Sequence, residues 1–168
     1  MEYFILETDQ RILQTIKPES KEGQFEKGEP FVCNTKFKEW GRLPDFFVVQ
    51  KVRKKYFCFS DQLKQLFEVY ADGFIRAVPF FPTDREKERQ EVYWNLELAE
   101  TEYFANRTLY SPEKPSLLKE PDCGCYCFQA EDEKGSYIIV SLHMVENMLR
   151  REIYGVKFVP IGIREGIA

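Results

Sequence analysis

The chain contains an internal repeat, and this repeat constrains its fold more than any other feature. The segment KKYFCFSDQLKQLFEVYADGFIRAVPF (54–80) aligns with GSYIIVSLHMVENMLRREIYGVKFVPI (135–161) at a constant separation of 81 residues. Apolar positions match apolar positions, and Ser60 matches Ser141. Two copies are too few for a solenoid. The repeat therefore predicts two related units that share one sheet or pack against each other.

Each copy has the pattern of a strand, a helix and a second strand. YFCF and YIIV are short aromatic and β-branched runs typical of strands. The serines that follow, Ser60 and Ser141, have the position and the hydroxyl of helix N-caps. Each helix then shows one apolar face. These faces are Leu63, Leu66, Phe67 and Tyr70 in the first copy, and Met144, Val145, Met148 and Leu149 in the second. Gly73 and Gly155 are expected where each helix stops.

A further strand is expected before each copy, in FFVVQKV (46–52) and in CYCFQA (125–130), with a polar turn between it and the next strand. The sequence thus predicts a single α+β domain with two β-hairpin–helix–strand units at about 45–80 and 123–162. YFIL (3–6) and RILQTIK (11–17) are interpreted as an N-terminal hairpin. The predicted division of residues 1–168 is an N-terminal hairpin and loop (1–44), a repeat unit (45–81), a connecting segment (82–120) and a repeat unit (121–163).

Three of the five cysteines, Cys123, Cys125 and Cys127, lie close together in PDCGCYCF. In a strand, this spacing would place all three sulfur atoms on one face. Three thiolates could bind a soft metal, but structural zinc sites use four ligands with wider spacing within each pair. The matching segment of the first copy, PDFFVV, contains no metal ligand. We therefore interpret the cysteines as small apolar residues of a strand, and keep them as weak metal-site candidates.

No motif predicts catalysis or a cofactor. Nucleophile elbows, phosphate-binding glycine loops and zinc-protease helices are all missing from the sequence. His143, the only histidine, is expected on an exposed helical turn, without a nucleophile that it could activate. The net charge of −4 disfavours a nucleic-acid partner. No signal peptide or membrane-spanning segment is predicted, which favours a cytoplasmic location.

The chain is rich in aromatic residues, with 15 Phe, 9 Tyr and 2 Trp. Most are expected in the core, but aromatic side chains are also enriched at protein interfaces. Positions of the repeat are already explained by folding. The candidates for partner contact are therefore aromatic residues outside it: Trp40, Tyr93, Trp94 and Tyr103.

The segment YIIVSLHMVENMLRREIYGVKFVPIGI resembles the C-terminal signature of the immunity-protein-11-like family of bacterial polymorphic toxin systems. YFCFSDQLKQLF with VPF after it, and VYWNLELAETEYF, support a similarity that spans about residues 45–163. The family has a Phe-centred apolar strand where this chain has CGCYCF. The resemblance therefore implies that Phe128 takes the place of that Phe and that the cysteines are structural.

The resemblance also implies a non-enzymatic cytoplasmic protein that binds and neutralises a toxin domain. It transfers no catalytic residue, cofactor or toxin-contact motif to this chain. Because opposite charge speeds encounter, an acidic inhibitor suits a basic toxin such as a nuclease. Two alternatives remain open at this point. One is a general protein-interaction domain without a toxin partner, and the other is a metal-binding or enzymatic protein that uses Cys123, Cys125 and Cys127.

Overall fold

The computed structural model describes residues 2–19, 21, 23–52, 54–71, 73–99, 116–117, 121, 124–132 and 135–163. This part of the chain contains eleven strands and two helices, which confirms the predicted α+β class. In chain order the elements are β1 (Tyr3–Thr8), β2 (Phe31–Asn34), β3 (Phe46–Gln50), β4 (Lys55–Ser60), α1 (Asp61–Tyr70), β5 (Phe74–Asp84), β6 (Arg89–Gln90), β7 (Tyr93–Leu98), β8 (Ser116–Leu117), β9 (Cys127–Asp132), β10 (Gly135–Ser141), α2 (Leu142–Arg150) and β11 (Val156–Ile163).

The first sheet has the strand order β2-β5-β7-β4-β3, with the short β6 paired to β5. Strands β3 and β4 form the predicted hairpin, in which Phe46 is opposite Phe59. Strand β7 lies between β4 and β5 and is antiparallel to both. The two strands that α1 connects, β4 and β5, are therefore parallel to each other, with one strand between them.

The second sheet repeats this arrangement with the order β8-β11-β1-β10-β9. Strands β9 and β10 form the other predicted hairpin, in which Phe128 is opposite Ile139. Strand β1 lies between β10 and β11 and is antiparallel to both. The edge strands also correspond, because β2 is parallel to β5 and β8 is parallel to β11. Both repeat units thus have one architecture, but the central strand of the second comes from the opposite end of the chain.

The position of β1 shows that the predicted N-terminal hairpin is wrong. Ile5 pairs with Ile139 on one side and with Val159 on the other, so both edges of β1 are occupied. Residues 11–17, all of them described, contain no strand, and Ile16 is buried among aromatic side chains next to the first sheet. The apolar pattern of YFIL does form a strand, but its partners lie more than a hundred residues away.

Three apolar clusters follow from the alternation of side chains across the strands. In β4, Phe57 and Phe59 point into a central core, whereas Tyr56 and Cys58 point to the other face of the sheet. The central core takes buried residues from both sheets and both helices. The first outer cluster covers the far face of the first sheet, and the second outer cluster covers that of the second sheet. The two repeat units therefore share one core.

Both helices begin at their predicted caps. The Oγ atoms of Ser60 and Ser141 each accept from the backbone N–H three residues later, at 3.2 and 3.3 Å. This satisfies one of the unpaired N–H groups of a first helical turn. The backbone before each cap corresponds as well. Ser60 N–H donates to the Asp45 carbonyl at 2.7 Å, and Ser141 N–H donates to the Tyr126 carbonyl at 2.8 Å. The backbone before the two caps thus makes the same contact in both units.

The helices lie side by side and antiparallel in the described structure. Gln62, in the first turn of α1, donates from Nε2 to the carbonyl of Arg151 just after α2, at 3.0 Å. His143, in the first turn of α2, has its ring centroid 5.4 Å from that of Tyr70 at the end of α1. Three residues of each helix are buried in the central core: Leu63, Leu66 and Phe67 in α1, and Met144, Val145 and Met148 in α2. Leu149, predicted to be buried, is exposed. Neither helix is long and apolar enough to cross a membrane.

The residue that ends α2 is not the predicted glycine. Glu152 has a left-handed φ of +54°. Its N–H donates to the Leu149 carbonyl, and the N–H of Ile153 donates to the Met148 carbonyl. This hydrogen-bond pattern is that of a Schellman motif, in which the left-handed residue is usually glycine. Gly155, three residues later, also has a left-handed φ, of +83°, but there it allows close approach to Pro44.

Alanine at the two caps is expected to destabilise the domain unequally. Ser141→Ala should lower the free energy of unfolding by about 1 kcal/mol, the usual cost of losing an N-cap hydroxyl. Ser60→Ala should cost about 2 kcal/mol, because the Ser60 hydroxyl also donates to buried Asp45 Oδ1 at 2.6 Å. Urea unfolding of the two variants and the parent measures both values. Equal losses would show that the hydrogen bond to Asp45 contributes nothing to stability.

Candidate functional site

The cysteine cluster does not form the predicted single face. Strand β9 begins only at Cys127, so Cys125 precedes the strand and does not alternate with it. The Cys127 side chain lies in the central core, and the Cys125 side chain lies in the second outer cluster. Cys123 lies outside the described residues. Among the residues that the structure describes, no group of three or more His, Cys, Asp or Glu side chains is placed to hold a metal ion.

Two further cysteines, Cys33 and Cys58, are buried in the first outer cluster. Burial raises the pKa of the Cys33 thiol to about 11. Burial, and secondarily the proximity of Cys33, raise the pKa of the Cys58 thiol well above its usual range. Only a thiolate is a strong nucleophile, and an exposed cysteine has a pKa of about 8.5.

Both thiols are therefore expected to resist alkylation in the folded protein. With iodoacetamide at about pH 8, Cys33 and Cys58 should react much more slowly in the native chain than in urea. Peptide mass spectrometry reads each site separately, and the urea sample serves as the control. Equally fast modification in both samples would contradict the burial that the structure shows.

A cavity of about 520 Å³ lies beside β1 and β11. Its lining is mostly apolar, and Glu2 is the only carboxylate among the described lining residues. The other polar side chain, Tyr3, donates from its hydroxyl to the Cys125 carbonyl at 3.1 Å. The described lining therefore combines an apolar wall with one carboxylate, Glu2, and one phenol, Tyr3.

Of the predicted contact residues, Tyr93 is a core residue and Trp94 is partly covered. Tyr93 is 3% exposed, and its hydroxyl donates to the Pro44 carbonyl at 2.7 Å. Burial, and to a smaller extent Glu91, raise the pKa of Tyr93 above its usual range. Trp94 donates from Nε1 to Asp61 Oδ1 at 3.0 Å, and its ring lies beneath Lys64. Tyr93 is therefore a core residue with almost no surface for a partner to contact. Tyr103 lies outside the described residues.

Trp40 is the predicted contact residue that the structure places at the surface, with 73% of its area exposed. Leu13, from a different segment, is 63% exposed and lies next to the Trp40 loop. A Cβ added at Gly41 would lie 3.9 Å from the Leu13 Cβ. We call these two side chains the Trp40–Leu13 pair. Sequence reasoning missed Leu13 because RILQTIK was interpreted as a strand.

Hydrogen bonds hold the two segments that carry this pair. Gln14, which is 1% exposed, donates from Nε2 to the Gly41 carbonyl at 2.9 Å and accepts from the Lys38 N–H at 2.7 Å. Lys38 Nζ also donates to the Leu13 carbonyl at 2.6 Å. A buried amide that joins both loops restricts their motion. Trp40 is therefore an exposed aromatic side chain on a well-anchored loop.

A second aromatic group lies where the end of α1 meets the start of α2. The rings of Tyr70, Tyr126 and His143 contact one another, with centroid separations of 5.2 to 5.4 Å. The tyrosines are half-buried and His143 is exposed. Sequence reasoning placed His143 correctly on an exposed turn but did not connect it with the tyrosines. A position-by-position comparison of the two repeat copies would have found the group, because the equivalent residue in the other copy is polar or charged in each case.

Comparison with known proteins identifies no relative. No protein-family model matches the chain, and neither a curated protein nor a solved structure is significantly similar to it.

Proposed function

We propose that this chain is a non-enzymatic protein-binding domain that neutralises a bacterial toxin domain in the cytoplasm. The observation that carries the proposal is the exposure of Trp40, at 73% of its area, on a loop fixed by the buried amide of Gln14. Tryptophan side chains are highly buried on average in folded proteins. Tryptophan is also among the residues that contribute most to binding energy at protein interfaces.

The order of the Trp40 loop adds to this support. An anchored loop loses little backbone conformational entropy when a partner binds, so more of the contact energy remains as affinity. Leu13 is a second exposed apolar side chain, close to Gly41 in the same loop as Trp40. A pair of apolar side chains on fixed loops is suited to fill a pocket of another protein.

The toxin as partner is supported by the resemblance of residues 45–163 to the immunity-protein-11-like family. The net charge of −4 favours a basic toxin, because opposite charges accelerate diffusional encounter. Salt screens such attraction beyond about 10 Å at 0.1 M ionic strength. The association rate is therefore expected to fall as salt concentration rises.

The proposal is tested by co-expression with the C-terminal domain of a toxin-like protein whose gene lies next to the gene for this chain. Rescue of growth together with co-purification of a complex is the expected result. Failure of both, with the toxin domain shown to be active alone, would overturn the immunity function. A general interaction domain would then be the remaining protein-binding hypothesis.

The role of Trp40 in partner contact is tested on the same complex with the variant Trp40→Ala, and Val52→Ala is the matched control. Val52 is a fully exposed apolar residue in the turn between β3 and β4. Trp40→Ala is expected to weaken binding at least about tenfold in calorimetric titration, the scale of an interface hot spot. Val52→Ala should leave affinity unchanged. Equal affinities for the two variants would exclude Trp40 as the anchor.

A further inference from the structure

The two repeat units provide an internal control for surface residues. Equivalent backbone positions, 81 residues apart, make the same cap and strand contacts, as Ser60 with Asp45 and Ser141 with Tyr126 show. The fold can use different residue types at one buried position, as Asp45 and Tyr126 show. The informative differences are therefore at positions that are at least partly exposed, where one unit carries aromatic or apolar residues and the other carries polar ones.

The group of Tyr70, Tyr126 and His143 is such a difference. At the equivalent positions of the other unit the residues are polar or charged. The three pairs are Tyr70 and Arg151, Tyr126 and Asp45, and His143 and Gln62. The start of α1 contacts the end of α2 through the hydrogen bond from Gln62 to the Arg151 carbonyl. The start of one helix can therefore pair with the end of the other without aromatic rings.

The flanking positions show the same contrast. Val69 is 70% exposed and Leu142 is 37% exposed, beside Tyr70 and His143 in the chain. Their equivalents are Arg150 and Asp61, which have the charges that suit the end and the start of a helix. Val69 and Leu142 carry no charge, so they give the helix ends no such electrostatic stabilisation. The helix-end patch, defined as Val69, Tyr70, Tyr126, Leu142 and His143, thus combines two rings that pack partly against the central core with exposed apolar side chains, Val69 and Leu142, that the helix ends do not require.

Two exposed carboxylates adjoin the helix-end patch. The carbonyl of Glu2 accepts from the Leu142 N–H at 2.8 Å, so Glu2 is next to the start of α2. Glu146 is exposed one helical turn after Leu142 and His143, and therefore lies on the same side of α2. Aromatic faces attract cations, and nearby carboxylates add to this attraction.

We propose that the helix-end patch binds a basic protein segment in which Lys or Arg residues flank apolar ones. The cations contact the tyrosine faces and the carboxylates of Glu2 and Glu146, and the apolar side chains cover Val69 and Leu142. This inference rests on the proposed function in that the partner is a protein. It concerns a different surface, because Arg42 ties the Trp40 loop to Glu152, at the opposite end of α2.

The patch contains its own spectroscopic reporter. His143 is the only histidine of the chain, so its imidazole gives a single set of signals in carbon–proton NMR spectra. We suggest titrating the full chain at constant pH with a short peptide of alternating Arg and Leu. A matched peptide with Glu in place of each Arg is the control for charge. The basic peptide is expected to shift the His143 signals in a saturable manner, with a Kd of about 1 mM or lower, and the acidic peptide is not.

Two variants distinguish peptide binding at the helix-end patch from general electrostatic attraction between the peptide and the chain. Val69→Arg introduces the residue found at the equivalent position 150, at a helix C-terminus where a cation is favourable, so the chain should fold normally. Leu149→Arg adds the same charge at an exposed site near the other end of the helix pair. Val69→Arg is expected to weaken peptide binding at least about fivefold, the scale of a modest electrostatic penalty. Leu149→Arg should change it little.

Three results would overturn the inference: no shift of the His143 signals, equal shifts with both peptides, or equal effects of the two variants. These outcomes do not involve the toxin. A chain that protects cells but shows no His143 response would keep the proposed function and lose this surface. A chain that binds the basic peptide but does not protect cells would keep the surface and lose the toxin as partner.

Discussion

Gly155→Ala is expected to lower the free energy of unfolding by about 3 kcal/mol. The φ of +83° at Gly155 is left-handed, which costs an alanine on the order of 1 kcal/mol. The new Cβ would also lie 2.7 Å from the Cβ and 3.2 Å from the Cα of Pro44. Such crowding is relieved only by moving the Pro44 backbone, and overpacking typically costs about 1–3 kcal/mol. Urea unfolding followed by circular dichroism gives the difference from the parent chain.

Two other glycines separate the causes of this loss. Gly23 has a φ of +82°, almost the same as that of Gly155, and nothing within 4 Å of an added Cβ, so Gly23→Ala should show the backbone cost alone. Gly162 has neither constraint, and Gly162→Ala should change stability by less than about 0.5 kcal/mol. A loss for Gly155→Ala no larger than that for Gly23→Ala would refute the close contact with Pro44.

Asp45→Ala is also expected to cost about 3 kcal/mol, because it leaves buried donors without an acceptor. The Asp45 carboxylate is 7% exposed. It accepts from the Ser60 hydroxyl at 2.6 Å, from the Tyr154 N–H at 2.8 Å and from Arg42 Nη2 at 3.3 Å. These contacts join the start of β3, the cap of α1 and the segment after α2. Thermal unfolding should show a decrease in Tm of about 10 °C for a chain of this size.

A double-mutant cycle with Ser60→Ala tests whether Asp45 acts through the cap. The combined loss should be smaller than the sum of the single losses by about 1 kcal/mol, since both variants remove the same hydrogen bond. Asp45→Asn serves as the control, because an amide keeps the shape and one acceptor oxygen. Additive losses, or an Asp45→Ala variant as stable as the parent, would contradict the role assigned to this carboxylate.

The predictable part of the fold is the part with local signals. The two hairpins and the two helices were expected from alternation, from helical periodicity and from Ser60 and Ser141, and the structure confirms all of them. An N-cap needs only a hydroxyl at the right place in the chain, so its signal is complete in a few residues. The left-handed stop of α2 at Glu152 lacked such a signal, because glycine is the usual residue there.

The candidate site was less predictable, because exposure depends on what the rest of the chain covers. Trp40 and Tyr93 were equal candidates in the sequence, yet Tyr93 is buried under the Pro44 segment and Trp40 is exposed. Nothing near Leu13 indicated that it would lie beside the Trp40 loop. The rings of Tyr70 and Tyr126 come from segments more than fifty residues apart, and only the packing of the helices brings them together.

The sequence by itself determined two copies of a hairpin, a helix and a strand, since these elements depend on contacts over a few residues. It did not determine which strand completes each copy. The first unit takes β7 from the segment that follows it, whereas the second takes β1 from the other end of the chain. A strand with two apolar faces fits between any two strands with open edges, and only the assembled core shows which edges remain open. Long-range pairing, with the surfaces that it leaves exposed, was therefore decided by the tertiary structure.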